Sequence, residues 1–261
     1  MKLLWFSLGL AFFLYFLEVL FPIVRRPRDW KRRWPLNLLT TIFLSSVMTF
    51  LTFSSFFAAG IAHEKGWGLC NQISGPFFVV ILVTFLARSF AGWFTHVLHH
   101  RIPFLWRFHL SHHSDHYIDI TTSGRFHVLE CLIGTAGAMA MTVAFGISQE
   151  ATMVYEISWI IWNNVSHANV RLPVMFERVA TIIFHTPANH RVHHSRDPRD
   201  YNCNYGVVLS VWDHLFGTHK ARVEIPEEEL RVGVPSVTEE SALSYWKVNV
   251  VGFADKARVK A

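Results

Sequence analysis

Hydrophobic residues fall into five continuous runs along the chain, separated by short polar or basic stretches. The first run covers residues 3–24, which is long enough to cross a hydrocarbon core of ~30 Å at ~1.5 Å per residue. The second covers residues 38–62 and has no charged side chain, and the third covers residues 76–96 and contains Arg88. These three runs predict transmembrane helices.

Two shorter runs follow, at residues 131–147 and 151–165. The first of them is rich in Gly and Ala, which allow helices to approach closely in lipid. The second contains Glu156. Their lengths predict a tight transmembrane hairpin or a re-entrant pair. No run after residue 171 is long enough to span a bilayer.

The pattern as a whole predicts an all-α integral membrane protein. We expect four to five transmembrane or re-entrant helices and a cytosolic helical cap that carries the histidine motifs described below. The predicted parts are N-terminal transmembrane helices at 1–95, a histidine-rich domain at 96–219 with a membrane hairpin at 131–165, and a polar cytosolic tail at 220–261.

Composition and charge agree with a membrane protein. Hydrophobic residues make up 51% of the chain and charged residues 16%, with a net charge of +5. A basic block follows the first run and consists of Arg25, Arg26, Arg28, Lys31, Arg32 and Arg33. Because these charges lie beside apolar runs, they favour an anionic membrane surface over nucleic acid as the partner. The positive-inside rule places the block in the cytoplasm.

The order of the runs then sets the topology. The second helix leads out of the cytoplasm, the third returns, and the hairpin goes out and comes back. Residues 96–127, His167 and everything after it are therefore predicted on the cytoplasmic face, so all the histidine-rich stretches meet on one side.

Fifteen of the sixteen histidines lie between His96 and His219, and they form three motifs. The motifs are one HxxxH (His96, His100) and two HxxHH (His109, His112, His113 and His190, His193, His194). On a helix, residues at i, i+3 and i+4 share one face. Eight imidazoles exceed the needs of one tetrahedral ion and suit two ions that keep open positions for a reactant.

Other residues have less defined roles. His167 follows the fifth run and is either a ninth ligand or a residue that supports the ligands from behind. Carboxylates often orient ligating imidazoles, although each of these is equally a solvated loop acid. The supporting candidates are Asp119, His127, Glu130, Asn169 and Asp213. His99, His116 and His185 flank the motifs and are predicted as supporting or surface residues. The cysteines, Cys70, Cys131 and Cys203, form no CxxC pair and predict neither a disulfide framework nor a thiolate site.

The chain resembles the fatty acid hydroxylase superfamily, in its sterol desaturase-like branch, over roughly residues 94–219. The stretches that carry the resemblance are HVLHHRIPFLWRFHLSHHSD (96–115), DITTSGRFHVLE (119–130), HANV (167–170), TPANHRVHHS (186–195) and NYGVVLSVWDHLFGTH (204–219). Two positions depart from the family pattern. Val128 stands where proline is usual, and His99 stands where an aliphatic residue is common.

The resemblance implies a membrane enzyme with a non-haem di-iron centre that uses O₂ and two electrons to hydroxylate or desaturate lipids. The eight motif histidines are then the iron ligands, residues 96–219 form the catalytic domain, and zinc can replace iron during purification. The implied partners are a fatty acyl or sterol-like lipid from the bilayer and an external electron donor, ferredoxin-like or cytochrome-like, with its reductase. The chain shows no nucleotide fingerprint and no cysteine set of its own for electron transfer.

Hydroxylation is the predicted reaction, and desaturation at the same site is the alternative. A metal-handling membrane transporter is the alternative from another class, and it predicts ionisable residues that line a path through the spanning helices. A structural zinc protein without turnover is a further alternative. The substrate, the carbon attacked, the donor and the oligomeric state are not predicted.

Overall fold

The computed structural model describes residues 2–72, 76–220, 226–244 and 247, and these contain no β-strand. The α-helices among them are α1 (Lys2–Leu20), α2 (Trp30–Glu64), α3 (Phe77–Arg101), α4 (Pro103–His113), α5 (Val128–Phe145), α6 (Gln149–His167), α7 (Val174–Ala180), α8 (Pro187–His193), α9 (Pro198–Tyr201), α10 (Val211–Leu215) and α11 (Glu239–Ala242). Short 3₁₀ turns lie at Leu69–Asn71 and Ile120–Gly124.

Three helices, α2, α3 and α5, are long and apolar enough to cross a membrane. The prediction of an all-α membrane protein is therefore confirmed, while the number of spans stays a prediction. Helix α1 is apolar over Leu8–Leu20. Helix α6 has 19 residues but includes Glu150 and Glu156, which lower its hydropathy.

The helices differ from the apolar runs at their ends. Helix α1 ends at Leu20, four residues before the first run does, and α2 begins at Trp30, eight residues before the second run. The hairpin helices extend to residue 128 and residue 167, three residues before and two residues beyond the predicted hairpin. Polar contacts explain the additional helical turns, because Arg33 and Asn37 on α2 bond to buried partners in the cap.

Buried polar contacts connect the first two helices to the histidine-bearing part of the chain. The Glu18 carboxylate on α1 is buried and accepts backbone N–H groups from Ile120 and Asn169 at 2.8 and 2.9 Å. Arg33 on α2 donates to Asp115 at 2.7 Å and to Asp119 at 2.9 Å. Both ends of this network are out of solvent, so these side chains position the segment after α4 firmly.

The segment around α10 packs against the middle of α3. Trp212 donates its indole N–H to the Ser89 hydroxyl at 2.9 Å, and the Phe216 ring stacks on Trp93 with centroids 4.6 Å apart. Ser89 is the thirteenth of the 25 residues of α3. Part of the chain after residue 171 therefore lies beside an apolar helix, at the level of the middle of α3.

Large apolar side chains are exposed on the part of the chain that runs from Val174 to Phe216. They are Val174, Met175, Phe176, Val179, Ile182, Ile183, Leu215 and Phe216. A surface of this kind on a membrane protein is suited to contact with lipid.

Candidate metal centre

Nine imidazoles converge in two adjoining groups. One group consists of His96, His100, His109, His113 and His193, and the other of His112, His167, His190 and His194. Within each group the candidate ligand atoms all lie within 4.8 Å of one another. These are the nine histidines that the sequence nominated, His167 included, and the structure brings them together from four helices. Metal ligation by each ring stays a proposal.

Local signals in the sequence set the helices that carry these rings. Pro103 occupies the first turn of α4, where its fixed φ is compatible with a helix and its missing N–H costs nothing. A capping box formed by Thr186 and Asn189 begins α8. His167 is the last residue of α6. Each motif therefore sits at a helix end that faces the others.

Main-chain carbonyls fix the proton position on four of the rings. Each ring places Nδ1 2.6–3.2 Å from a carbonyl oxygen, in the pairs His96–Tyr205, His112–Arg125, His167–Asn163 and His193–Cys203. A carbonyl oxygen only accepts hydrogen bonds, so Nδ1 must carry the proton in each pair. The Nε2 atom of each ring is left with a lone pair that points into its group.

Several of these Nε2 atoms face one another at short distances. The Nε2 atoms of His112 and His167 are 3.3 Å apart, and those of His96 and His109 are 3.0 Å apart. His109 also holds its Nδ1 proton, which it donates to Glu130 at 2.6 Å. Two lone pairs at this distance repel unless a cation lies between them. Burial lowers the pKa of His109 to about 3 and that of His112 well below its ordinary value, so protons do not supply that cation.

Further buried nitrogens have no hydrogen-bond partner in the described part of the chain. They include both nitrogens of His100, Nε2 of His193 and Nδ1 of His194. An unsatisfied buried polar atom is costly, and native structures rarely keep several in one place. Neutral imidazole is a good ligand for iron and zinc. The donor set therefore fits metal ions, and the chain has histidine clusters able to hold them.

Of the five supporting candidates, Glu130 and Asp213 act on the cluster. Glu130 accepts the Nδ1 proton of His109 directly. Asp213 accepts the backbone N–H groups of Tyr205 and Gly206 at 2.8 Å, which holds the Tyr205 carbonyl that bonds to His96.

The other three supporting candidates have different partners. Asp119 pairs with Arg33, and Asn169 bonds to Val24, Tyr117 and Arg191. His127 begins α5, where its Nδ1 accepts the N–H of Leu129. The structure therefore ties these residues to the fold around the site rather than to an imidazole.

The flanking histidine His185 contacts one of the clustered rings, and a supporting role for it stays a prediction. It is buried, and its Nε2 lies 3.1 Å from Nδ1 of His190. The carbonyls of Asn163, Cys203, Tyr205 and Arg125 were missed, because a residue's identity carries no signal for its main-chain role. Only the regular helical ends near them indicate where free carbonyls occur.

A cavity opens from the histidines into the helical bundle. Its empty volume is about 1050 Å³, which includes open space at its mouth. Apolar or small side chains from four helices line most of it, among them Met48, Leu51, Gly92, Gly134, Ala138 and Trp159. Ligand pockets with a lining of this character accept largely apolar molecules.

A family model described as "Fatty acid hydroxylase" matches residues 81–218, more than half of the chain. The chain belongs to the fatty acid hydroxylase family. The resemblance seen in the sequence is thereby confirmed, and the match contains all nine clustered histidines of this fatty acid hydroxylase family member.

Curated relatives agree with this assignment. Over 143 residues the chain is 33% identical to ornithine lipid hydroxylase OlsE of Rhizobium tropici, which covers 55% of this chain and 42% of the relative. It is 29% identical to alkylglycerol monooxygenase of Homo sapiens over 54% of this chain and 30% of the relative. Cholesterol 25-hydroxylase of Homo sapiens is 26% identical over 47% of this chain and 44% of the relative. The chain thus aligns with less than half the length of these relatives. No solved structure matches.

The contact between Glu130 and His109 gives a first testable expectation for this family member. Replacing Glu130 with glutamine removes the negative charge that polarises the imidazole, and we expect metal affinity to fall roughly 10–100-fold. Metal titration of purified protein measures this. Glu150→Gln on the exposed first turn of α6 is the matched control. Equal affinities in the two variants would show that Glu130 does not support the centre.

The neutral rings also predict sensitivity to acid. Burial lowers the pKa of six histidines on and beside α4 and α8 below the ordinary value: His109, His112, His113, His190, His193 and His194. The unfolded chain takes up protons below about pH 6.5 that the folded state excludes, so stability falls as pH drops. Each ring contributes about 1.4 kcal/mol per pH unit.

We therefore expect the thermal unfolding midpoint in detergent to drop steeply between about pH 6.5 and 5.5 and to change little above about pH 7. A midpoint that stays constant across this interval would mean that the folded protein takes up protons on these rings as readily as the unfolded chain does.

Proposed function

We propose that this family member is a membrane-bound non-haem di-iron oxygenase that hydroxylates a C–H bond of a fatty acyl or sterol-like lipid. The single observation that carries the proposal is that two groups of neutral, buried imidazoles open onto an apolar cavity within a helical bundle. The relatives named above support it, because the names of all three describe the oxidation of a lipid.

The proposed reaction accounts for both oxygen atoms of O₂. One oxygen atom of O₂ enters the C–H bond and the other leaves as water, which consumes two electrons and two protons. Iron held by the histidines supplies the O₂-activating redox chemistry that acid–base side chains lack. The electrons come from an external donor, ferredoxin-like or cytochrome-like, with its reductase.

In this proposal the chain's own residues bind the metal ions, fix the imidazole tautomers and position the lipid. The nine histidines provide the ligands, and the carbonyls behind four of them keep Nδ1 protonated so that Nε2 remains available. Glu130 holds the Nδ1 proton of His109. The apolar cavity wall excludes water and places one carbon of the lipid near His96 and His167, which both line it. We also propose that the site faces the cytoplasm. The basic residues 25–33 lie directly before α2 or at its start, and the positive-inside rule places such residues on the cytoplasmic side.

Comparison of lipid extracts tests this function. Cells that express the chain and cells that express a His112→Ala variant are analysed by mass spectrometry. We expect a lipid that gains one oxygen only with the unaltered chain. A loss of two hydrogens would indicate desaturation instead, and identical extracts would contradict an oxidative role.

A further inference from the structure

An ion pair lies in the wall of the cavity, away from the histidines. The guanidinium of Arg88 on α3 donates to the Glu156 carboxylate on α6 at 2.5 Å. The Arg88 side chain is 3% exposed and that of Glu156 is 12% exposed. Charged groups inside an apolar bundle are costly and usually mark a functional site when they face a cavity.

Both residues line the same cavity as His96 and His167. Arg88 precedes His96 by eight residues on α3, which is about 12 Å along the helix axis. Glu156 precedes His167 by eleven residues on α6, which is about 16 Å. Two separate helices therefore place the ion pair deep in the cavity, at a similar distance from the metal centre.

The pair does not use all of its hydrogen-bonding capacity. The Nε atom of Arg88 is buried and has no hydrogen-bond partner in the part of the chain that the structure describes. One Glu156 oxygen accepts from Arg88, and among the described residues nothing donates to the other. Thr142 and the ring of Tyr155 occupy other parts of the Arg88 side chain. One donor of Arg88 and one acceptor of Glu156 are thus left without a partner among the described residues, and both residues line the cavity.

The chemistry of this arrangement selects a ligand class. The pair is neutral overall, so a charged head group would introduce an uncompensated charge into a dry cavity. An ester oxygen only accepts and would leave the Glu156 oxygen without a donor. A hydroxyl group both donates and accepts, and it satisfies both residues at once.

We propose that Arg88 and Glu156 bind the hydroxyl group of the lipid substrate. The substrate is then a long-chain or polycyclic alcohol whose hydroxyl lies roughly 12–16 Å from the carbon that is oxidised, given the helical rise between these residues and the histidines. This inference rests on the proposed function for the identity of the cavity as the substrate site. The two residues position the lipid and do not take part in the oxidation.

Binding to purified full-length protein in lipid nanodiscs tests the proposal. The probes are cholesterol and the same hydrocarbon without the 3-hydroxyl, and 1-hexadecanol and hexadecane. We expect each alcohol to bind about tenfold or more tightly than its hydrocarbon, because a hydrogen bond to a charged group is being formed. The absence of a preference for either alcohol would overturn the proposal.

A double variant, Arg88→Met with Glu156→Leu, removes both charges together. Removing one partner strands a buried charge, whereas replacing the pair with apolar residues of similar volume is commonly tolerated. We expect the double variant to keep its unfolding midpoint and to lose the preference for alcohols. A folded double variant that keeps the preference would show that the pair only ties α3 to α6.

An Arg88→Lys variant provides the second test, and it also decides the matter if the double variant fails to fold. Lysine keeps the charge beside Glu156 but lacks the Nε donor. We expect a reduced preference for alcohols, and an unchanged preference would contradict a role for Nε.

A His112→Ala variant separates this inference from the proposed function. It lacks a metal-site ring but retains the ion pair, so it should keep the preference for alcohols while it forms no product. An alcohol preference without any oxidised lipid in the unaltered chain would contradict the proposed function alone. Oxidised lipid with no effect of the double variant on binding would contradict this inference alone.

Discussion

If the chain is the di-iron oxygenase proposed above, replacing His167 with alanine is expected to remove one of its two metal ions and to reduce lipid oxidation on the order of 100-fold or more. His167 belongs to the four-histidine group, where its Nε2 lies 2.8 Å from that of His190 and 3.3 Å from that of His112. Three candidate ligands of this group remain after the change, and three imidazoles hold an ion more weakly than four. Elemental analysis after dialysis against a chelator measures the metal, and lipid mass spectrometry measures the product.

His63→Ala is the control for this experiment, since His63 is exposed and lies outside both groups. It should leave metal content and product unchanged. If the His167→Ala protein keeps the full metal content of the unaltered chain, His167 supports the site from behind and the second ion has at most three imidazoles.

Replacing Arg33 with alanine is expected to lower the free energy of unfolding by about 3–5 kcal/mol. Arg33 is 3% exposed and pairs with Asp115 and Asp119. Its removal leaves buried Asp119 without its paired cation and leaves Asp115 with only the longer contact to Arg125 at 3.9 Å. The ion pair also holds the pKa of Asp115 below its usual range. Denaturant unfolding of the purified protein in detergent measures the change.

The neighbouring Arg32 offers a matched control. It belongs to the same basic block and the same helix, but its side chain is exposed. Arg32→Ala should change stability by less than about 0.5 kcal/mol. Similar losses in both variants would indicate that general charge near the bilayer, rather than the buried pair, stabilises this region.

The histidine cluster was within reach of the sequence because its signal is local. Spacings of three and four residues place imidazoles on one helical face, and the alternation of spanning runs brings separate motifs to one side. His167 illustrates the second argument, since no motif contains it and only its place after the fifth run indicated its position. The all-helical class followed equally directly from the lengths of the apolar runs.

The polar network around the cluster was out of reach because its partners are distant in sequence. Arg33 looked like one of several cytoplasmic charges, yet it is buried against Asp115, 82 residues away. Asp119 was a candidate for orienting an imidazole, with a solvated loop acid as the equal alternative, and it pairs with Arg33. Residue type alone does not distinguish an arginine that faces water from one that tertiary packing encloses.

The packing of α10 on the middle of α3 limits how this molecule can be dissected. Trp212 donates to Ser89 and one face of Phe216 stacks on Trp93, so the sides of these rings that face α3 are covered by a helix that is itself apolar enough to span a bilayer. A fragment that begins after α3 would expose these sides of the rings to water and would lack His96 and His100. We expect it to self-associate. A free-standing, water-soluble version of the histidine-bearing half is therefore not obtainable by trimming the hydrophobic helices away.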